Sequence, residues 1–483
     1  MSVKRLVLNA SALSGAKILA MASQFLVLPI IARYLPPSDF GLVAVAMIFV
    51  TFTMAVTDAG LGSSLVRTRH YDVEVWSSAF WFVAGLGLLL SILLAAISPL
   101  VAWWFDAAEV QPLLLTLALV PLMQGLLAVP QAEMQKRGAI PQIALGETLG
   151  TFAGFGVAIW IAVKGGGAWA LVAQQLTFWL IRVIVVAMST RFRLHRMFVW
   201  HVLGEHLRFG RDTVGFALVN FTLRQSHTLV IGKSLGPHDL GVFTMASRFS
   251  YLPSDVVGGP VFYSLYAHLA AMAGDRAAMR HMILSISRLL AILIFPPMAL
   301  VAAGAESFFT LFLSEKWTSV APIFVLIAPA GALQGVVVLY GTVLMATGHT
   351  RRRLRIILEM AIYWIILLLI SVWFGLEAVA VAYTFWYLSY LPRLTRLFLS
   401  AIDCTRRQYM DVLWVAAIVA VSAACIHVGM TLALALDGRQ EMLILVGEVL
   451  LAWGGAFLLE RQKILNDLRY LRQVLAASKT RGG

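Results

Sequence analysis

Fourteen long apolar stretches run along this sequence, and they restrict its fold more than any other feature. Lipid offers the peptide backbone no hydrogen-bond partner, so an apolar stretch of about 20 residues crosses a bilayer as a helix. We therefore predict an all-α membrane protein with about 14 transmembrane helices. The approximate cores of the stretches are 11–33, 40–65, 77–104, 111–133, 140–163, 168–189, 209–231, 238–266, 282–304, 319–346, 355–373, 376–399, 411–435 and 441–459.

The composition supports the membrane class and excludes several others. Of the 483 residues, 60% are apolar and only 13% are charged, too few to cover a soluble domain. The first stretch, from about Leu6 to Tyr34, is too long for a signal-peptide core, so we expect it to stay as a helix. Cys404 and Cys425 are too few for a disulfide framework, and no cysteine–histidine spacing predicts a metal site. We expect neither metal nor cofactor.

The basic residues predict the orientation. With both termini in the cytoplasm, 28 of the 37 Lys and Arg residues fall in cytoplasmic segments and 5 in external ones. This bias follows the positive-inside rule and predicts a multi-pass membrane protein with short external loops. The net charge of +13 is explained by topology and by contact with anionic membrane lipids, and we expect no nucleic-acid partner.

An internal repeat divides the chain. The sequence LPPSDFG at Leu35–Gly41 recurs as LGPHDLG at Leu235–Gly241, 200 positions later and on the same predicted side. We predict two six-helix lobes related by this repeat, with two extra C-terminal helices, and such lobes rock about a central site in many transporters. The predicted boundaries are 1–195 for the first lobe, 196–403 for the second, 404–460 for the last two helices and 461–483 for a basic cytoplasmic tail.

Cationic side chains inside the predicted spans are the candidate substrate site. Each costs about 2.5–3.5 kcal/mol to insert, so it is expected to face a polar cavity or a partner. For Arg224 and Arg248, both mid-helix, we favour a cavity that holds a phosphate, which guanidinium binds bidentately. For Lys17 and Arg182, snorkelling or pairing with a carboxylate is an equal alternative. Arg33 is a candidate to line the exit, or an anchor of its helix end.

Five further residues are candidate ion-coupling groups: Asp58, Asp255, Glu147, Glu359 and His227. An intramembrane carboxylate can bind a proton or sodium, and it can equally be the structural partner of an arginine. A histidine titrates near neutral pH, although a lone helical histidine is more often simply hydrogen-bonded. A second pattern, Gly146, Gly150 and Gly154, predicts close helix packing and no more.

Both halves of the chain carry short motifs: DAGLGSSLV at 58–66, SSAFW at 77–81, NFTLRQ at 220–225, LVIGKSLG at 229–236 and LGVF at 240–243, followed by Arg248 and Leu252-Pro253. With these motifs the sequence resembles Wzx-type polysaccharide flippases of the WzxC-like branch, within the multidrug/oligosaccharidyl-lipid/polysaccharide exporter superfamily. The resemblance implies flipping of an undecaprenyl-pyrophosphate-linked oligosaccharide through a cationic cavity, coupled to an ion gradient. Many members carry an aspartate where this chain has His227.

Other functions stay open at this stage. The sequence has no Walker A motif, nucleophile motif or large external domain, so we expect a transporter rather than an enzyme. The alternatives are a multidrug or cation antiporter of the same superfamily, a lipid II flippase, and a polysaccharide polymerase. We expect a monomer whose partners are the lipid-linked oligosaccharide, membrane lipids, and a polysaccharide polymerase with its chain-length machinery.

Overall fold

The computed structural model describes the backbone of residue 23 and of residues 26–58, 61–68, 71–272, 275–434 and 436–481. It describes the side chains of the same residues except 58, 63, 205, 209–220, 223–224, 256–268, 270–271, 350 and 474–481. No residue within these ranges lies in a β-strand, which confirms the prediction of an all-α protein.

Within the described residues, seventeen α-helices follow a helical segment at 26–34. Their bounds are α1 Pro37–Asp58, α2 Leu61–Arg67, α3 Val73–Trp104, α4 Val110–Leu117, α5 Leu119–Arg137, α6 Ile140–Val163, α7 Trp169–Ser189, α8 Gly204–Ser234, α9 Gly236–Ala271, α10 Arg276–Ala303, α11 Ala305–Phe312, α12 Val320–Ala346, α13 Thr350–Ser371, α14 Leu376–Ala401, α15 Arg406–Leu434, α16 Gly438–Leu459 and α17 Arg461–Arg481.

Ten helical segments in the described part are long and apolar enough to cross a membrane, so the chain is a multi-pass membrane protein. They coincide with ten of the fourteen predicted stretches. Of the other four, 11–33 lies mostly outside the described residues, and 209–231 and 238–266 fall in α8 and α9, where many side chains are not described. The stretch 376–399 forms α14, whose tyrosines and arginines lower its mean hydropathy. The total of fourteen stays a prediction.

The predicted stretch 40–65 falls in α1 and α2, and residues 59–60 between them lie outside the described residues. One other predicted stretch, 111–133, is interrupted at Ala118, between α4 and α5. Pro121 explains this interruption, because it has no N–H to donate to the carbonyl four residues earlier, at Leu117. Apolar composition locates a span but does not report such a break.

Aspartates fix where three helices begin. The side chain of Asp72 accepts a hydrogen bond from the backbone N–H of Glu74, at the start of α3. Asp275 accepts from Ala278 N–H at the start of α10. Asp437 caps α16 in a capping box. Each side chain satisfies a backbone donor that the first helical turn leaves unpaired, so these helices have defined starts.

The glycine stripe of α6 packs directly on α7, as its spacing predicts. A Cβ placed on Gly150 would lie 2.8 Å from the carbonyl oxygen of Phe178, and one on Gly154 would lie 2.8 Å from that of Gln174. Only a hydrogen atom fits at these two positions. The stripe therefore brings the two backbones together, and it places Glu147 of α6 beside Arg182 of α7.

The chain divides into two compact units, 1–244 and 245–483. Both copies of the repeated turn lie in the first unit, and they contact each other: Pro237 faces Gly41 and Pro37 faces Gly241. The lobe boundaries predicted from the repeat, at 195 and 403, stay a prediction.

Two segments between and after the spans are held by specific contacts. The irregular segment 190–200 lies against α3, where Val199 N–H donates to Ser78 Oγ at 2.9 Å and Trp81 Nε1 donates to the carbonyl of His195 at 2.9 Å. The predicted basic tail is helical from Arg461 onward. It packs along α10, where the ring centroids of His281 and Tyr470 lie 4.3 Å apart.

Candidate functional site

Arg248 is the candidate substrate ligand that the structure describes most fully. It lies on α9 in the second unit, and its side chain is half-buried. The next two residues along α9 face protein: the ring of Phe249 packs edge-on against Phe309 at 5.2 Å, and Ser250 Oγ donates to the carbonyl of Ile327. Among the described residues, no carboxylate lies within ion-pair distance of Arg248. A guanidinium can bind an anionic group such as a phosphate through paired N–H donors.

A chain of hydroxyl and amide groups begins three residues after Arg248. Residues three apart lie on the same side of a helix, so Tyr251 shares a side of α9 with Arg248. Tyr383 donates its hydroxyl to Tyr251 at 2.9 Å and accepts from Gln334 Nε2 at 2.5 Å. The sequence reasoning did not single out either tyrosine. Gln334 carried a faint signal, since Gln334-Gly335 repeats Gln124-Gly125 after 210 positions.

Aromatic rings surround this hydrogen-bonded chain. The ring of Tyr383 lies edge-on to Trp364, with centroids 5.4 Å apart, and 5.6 Å from Trp386. Tyr251 meets Tyr383 edge-on at 6.4 Å. The second unit thus joins Tyr251, on the same side of α9 as Arg248, to hydroxyl, amide and aromatic groups of three other helices. Hydroxyl-rich ligands such as sugars bind groups of these kinds.

Arg182 lies in a polar contact within the first unit. Its Nη2 donates to Gln131 Oε1 at 3.1 Å and lies 3.6 Å from Glu147 Oε1. The guanidinium also sits 4.8 Å from the ring centroid of Trp179 on its own helix. The side chain is 12% exposed, so it does not reach out to the membrane surface. Of the alternatives that the sequence left open, these contacts favour pairing with a carboxylate.

The remaining candidate cations differ in how much of them the structure describes. Lys17 lies outside the described residues. Arg224 is helical, on α8, but its side chain is among those not described. Arg33 is exposed on the helical segment 26–34. Lys233, the near-equivalent of Arg33 in the repeat, forms an ion pair with Asp106, Nζ to Oδ2 at 2.7 Å. Whether Arg33 contributes to an exit stays a prediction.

The candidate acids fall into two groups. Glu147 and Glu359 are each paired with an arginine, Glu147 with Arg182 and Glu359 with Arg393. Asp255 is exposed on α9. Asp58 ends α1, but its side chain is not described. The structure therefore brings two of these acids to cations of neighbouring helices and does not gather the acids into one cluster among the described residues.

His227 packs in an aromatic setting on α8. Its ring lies 5.6 Å from the ring of Phe243 in the same unit. No described group of three or more His, Cys, Asp or Glu side chains has the arrangement of a metal site. The role of His227 in ion coupling stays a prediction.

The first unit also contains a polar centre, around Glu133, that the sequence motifs did not predict. Glu133 on α5 is buried, and its carboxylate accepts from Arg137 Nε at 3.0 Å, from Thr190 Oγ1 at 3.0 Å and from Arg191 N–H at 3.2 Å. It ties the end of α7 to α5. Only the Arg137 contact, four residues along the helix, leaves a signal in the sequence.

Comparison with known proteins identifies relatives over most of the chain. Residues 30–322 match the family described as "Polysaccharide biosynthesis protein". The succinoglycan biosynthesis transport protein ExoT of Rhizobium meliloti (strain 1021) is 29% identical over 311 residues, 63% of this chain and 62% of ExoT. The lipopolysaccharide biosynthesis protein WzxC of Escherichia coli (strain K12) is 23% identical over 351 residues, 70% of each chain.

Among solved structures, the lipid II flippase MurJ in an inward closed conformation shares the fold. It superposes with a TM-score of 0.70 at 15% sequence identity, over 95% of this chain and 100% of MurJ. At that identity the likeness establishes the fold alone. The match to ExoT spans less than two thirds of that relative's length.

Proposed function

Because this chain belongs to the polysaccharide biosynthesis protein family, we propose that it flips an undecaprenyl-pyrophosphate-linked oligosaccharide across the bacterial inner membrane, from the cytoplasmic to the periplasmic leaflet. The family match over residues 30–322 confirms the resemblance seen in the sequence motifs. The relatives ExoT and WzxC bear names that refer to succinoglycan transport and lipopolysaccharide biosynthesis. Both names fit a substrate in which sugars are joined to a lipid carrier.

The observation that carries the proposal is the state of Arg248. A half-buried guanidinium in a membrane protein is costly unless an anion compensates it. No described carboxylate does so, which leaves the charge for a ligand. Pyrophosphate presents paired oxygens that match the planar guanidinium fork. Arg248 therefore captures the pyrophosphate linker in this proposal, and Arg224 remains a second predicted ligand on sequence grounds.

The hydroxyl and aromatic groups near Arg248 suit the sugar end of the substrate. Tyr251 follows Arg248 by three residues on α9 and is hydrogen-bonded to Tyr383. We assign these tyrosines to the oligosaccharide, which offers both hydroxyls and apolar ring faces. The lipid tail, which has neither, stays in the bilayer.

Alternating access supplies the movement. The lobes 1–195 and 196–403 rock about the substrate, helices 404–460 lie outside the repeat, and both termini face the cytoplasm. An ion gradient or a difference in affinity between the two states must bias the cycle, because equal binding to both states moves nothing. The protein works as a monomer and delivers its product to a polysaccharide polymerase and its chain-length machinery.

A flipping assay in proteoliposomes tests the proposal. Purified protein is reconstituted with a fluorescent, pyrophosphate-linked oligosaccharide, and the exposed fraction is read by a membrane-impermeant quencher. We expect Arg248→Ala to lower the rate by about tenfold or more, since a charge-assisted contact contributes roughly 1.5–3 kcal/mol. Arg248→Lys keeps the charge without the fork and is expected to lie in between.

The matched control is Arg276→Ala, which removes an exposed arginine paired with Asp403 and is expected to leave the rate unchanged. Equal rates for Arg248→Ala and the wild type would overturn the proposed anion site. Vesicles that contain lipid II, or a cationic drug, in place of the oligosaccharide distinguish the two rival transporters. Faster transport of either rival substrate would replace the proposed function.

A further inference from the structure

A buried cluster of ionisable side chains lies in the last two spans and is unused by the proposed mechanism. His427 of α15 is completely buried. Its neighbours are Glu441 and Glu448 of α16, whose side chains are 16% and 11% exposed. Ser307 of α11 completes the group by donating its hydroxyl to Glu441 Oε2. Three helices of the second unit therefore meet at these four side chains.

Both nitrogens of the His427 ring face carboxyl oxygens. Nδ1 lies 2.6 Å from Glu448 Oε2, and Nε2 lies 3.3 Å from Glu441 Oε1. A neutral imidazole has one N–H and one bare nitrogen, and a bare nitrogen repels an ionised carboxylate. A neutral imidazole facing two ionised carboxylates therefore does not fit this geometry, and the cluster must hold at least one additional proton. Either the ring is an imidazolium, or one carboxyl group is protonated and donates to the ring.

A second proton is indicated by Glu448. Its other oxygen, Oε1, is buried and has no hydrogen-bond partner. An ionised oxygen in such a position loses its hydration without replacement, which costs far more than burying a neutral hydroxyl. With an imidazolium and two carboxylates the cluster would carry a net charge of −1 inside the membrane.

In the part of the chain that the structure describes, no neighbouring cation offsets that charge. Apart from His427, no described Lys, Arg or His lies within ion-pair distance of Glu441 or Glu448. Arg439 of α16 and Glu306 of α11 are exposed. The segment 289–303 of α10 has no ionisable residue.

The charged groups at the other ends of α10 and α15 either pair with other residues or lie far from His427 along the chain. Arg288 of α10 pairs with Glu460 and with Asp467 of α17. The charged residues at the start of α15 precede His427 by at least four helical turns: Arg406, Arg407 and Asp411.

We propose that His427, Glu441 and Glu448 form a proton-binding site that holds two protons and is electrically neutral when filled. One proton, delivered by hydronium from the aqueous phase and leaving water behind, forms the second N–H bond of the His427 ring, and the ring then donates to both carboxyl groups. The other proton, delivered in the same way, forms an O–H bond at Glu448 Oε1. The net charge rises from −2 in the empty site to zero in the filled one.

The packing around the site shows what its protonation does for the structure. A Cβ on Gly304, between α10 and α11, would lie 2.8 Å from His427 Nε2 and 3.3 Å from Glu441 Oε1. The site has no room at that side for a hydrated ion. Emptying it would leave two buried carboxylates on α16 without a compensating charge, one of them facing the bare nitrogen of His427, and this would disfavour the packing of α15 on α16.

Infrared spectroscopy of the full chain in lipid nanodiscs at about pH 7 tests the site, because a free Glu is ionised at that pH. We expect a carbonyl band of a protonated carboxyl group in the wild type, lost in Glu448→Gln and retained in Glu306→Gln, the exposed matched control. We also expect an imidazolium ring band that His427→Gln removes. Transport is not measured, so the outcome is independent of the proposed function.

Two results would overturn the proposal. One is a wild-type spectrum without a protonated carboxyl band, which needs no variant to fold. The other is a band that persists at full height in Glu448→Gln.

Discussion

Gly41 lies against the carbonyl oxygen of Pro237 so closely that a Cβ at Gly41 would overlap the backbone. The relationship is reciprocal, because a Cβ at Gly241 would overlap the carbonyl of Pro37. The four residues are the matched positions of the two repeat copies, LPPSDFG and LGPHDLG. Each copy thus presents a proline carbonyl to the glycine of the other, and the pair forms a self-complementary contact like those at two-fold axes.

Alanine at either glycine is predicted to disrupt this contact. The added methyl group would meet backbone rather than a flexible side chain, so the helices must move apart, and we expect a loss of about 3 kcal/mol or more in the free energy of unfolding. Thermal unfolding in detergent measures the effect for Gly41→Ala and Gly241→Ala. The matched control is Gly156→Ala, where a Cβ meets nothing within 4 Å. Stabilities of Gly41→Ala and Gly156→Ala that agree would contradict the contact.

The repeat shows which features of the fold the sequence can predict and which it cannot. The shared offset of 200 residues predicted that two turns are related, and the apolar stretches located the ten spans found in the described part. Neither pattern predicted that the turns touch, since contact between residues 200 positions apart depends on how helices pack. Local patterns report periodicity and length, whereas packing partners are set by shape.

Arg288 is predicted to hold the C-terminal helix in place. Its Nη1 lies 2.5 Å from Asp467 Oδ2, and its Nε lies 3.3 Å from Glu460 Oε2. Both carboxylates are nearly buried, and Ser285 Oγ donates to Asp467 at 2.7 Å. We expect Arg288→Ala to leave the buried Asp467 without a cation and Glu460 with Lys463 alone, and to lower stability by about 3–5 kcal/mol. Limited proteolysis, read as cleavage within residues 461–481, measures release of the helix.

The exposed ion pair of Arg276 and Asp403 is the matched control for that experiment. Both side chains are more than half exposed, so Arg276→Ala is expected to cost no more than about 1 kcal/mol. A cleavage rate for Arg288→Ala that equals the rate for Arg276→Ala would show that the C-terminal helix is held by other contacts.

The sequence predicted residues 461–483 only as a basic tail and did not predict that this segment packs against α10. The arginines and lysines there indicated the side of the membrane, but Asp467 and Tyr470 make the contacts. Tyr470 donates its hydroxyl to the carbonyl of Ala278, and Asp467 meets an arginine 179 residues earlier in the chain. Single residues at such separations leave no periodic trace.

Arg182 and Glu147 are predicted to act as a structural pair. We expect Arg182→Gln and Glu147→Gln each to lower stability by about 1–2 kcal/mol, with the double variant little worse than either, because each partner's loss already breaks the contact. Thermal unfolding of the four proteins gives the coupling energy. Flipping per folded molecule is expected to stay within about twofold of the wild type. A large loss of transport without a loss of stability would instead assign Arg182 to the substrate.

Cys404 is predicted to react slowly with maleimides near neutral pH. Burial raises the pKa of its thiol, and the positive charge of Arg280 opposes that rise only in part. Since only the thiolate reacts, a raised pKa means less reactive species in the folded protein than in the unfolded one at the same pH. In a Cys425→Ser background, we expect the ratio of folded to unfolded labelling rates to lie below one at about pH 7 and to rise toward one in alkali, as both forms become fully ionised. A ratio that stays constant with pH would show that steric access, rather than ionisation, limits the reaction.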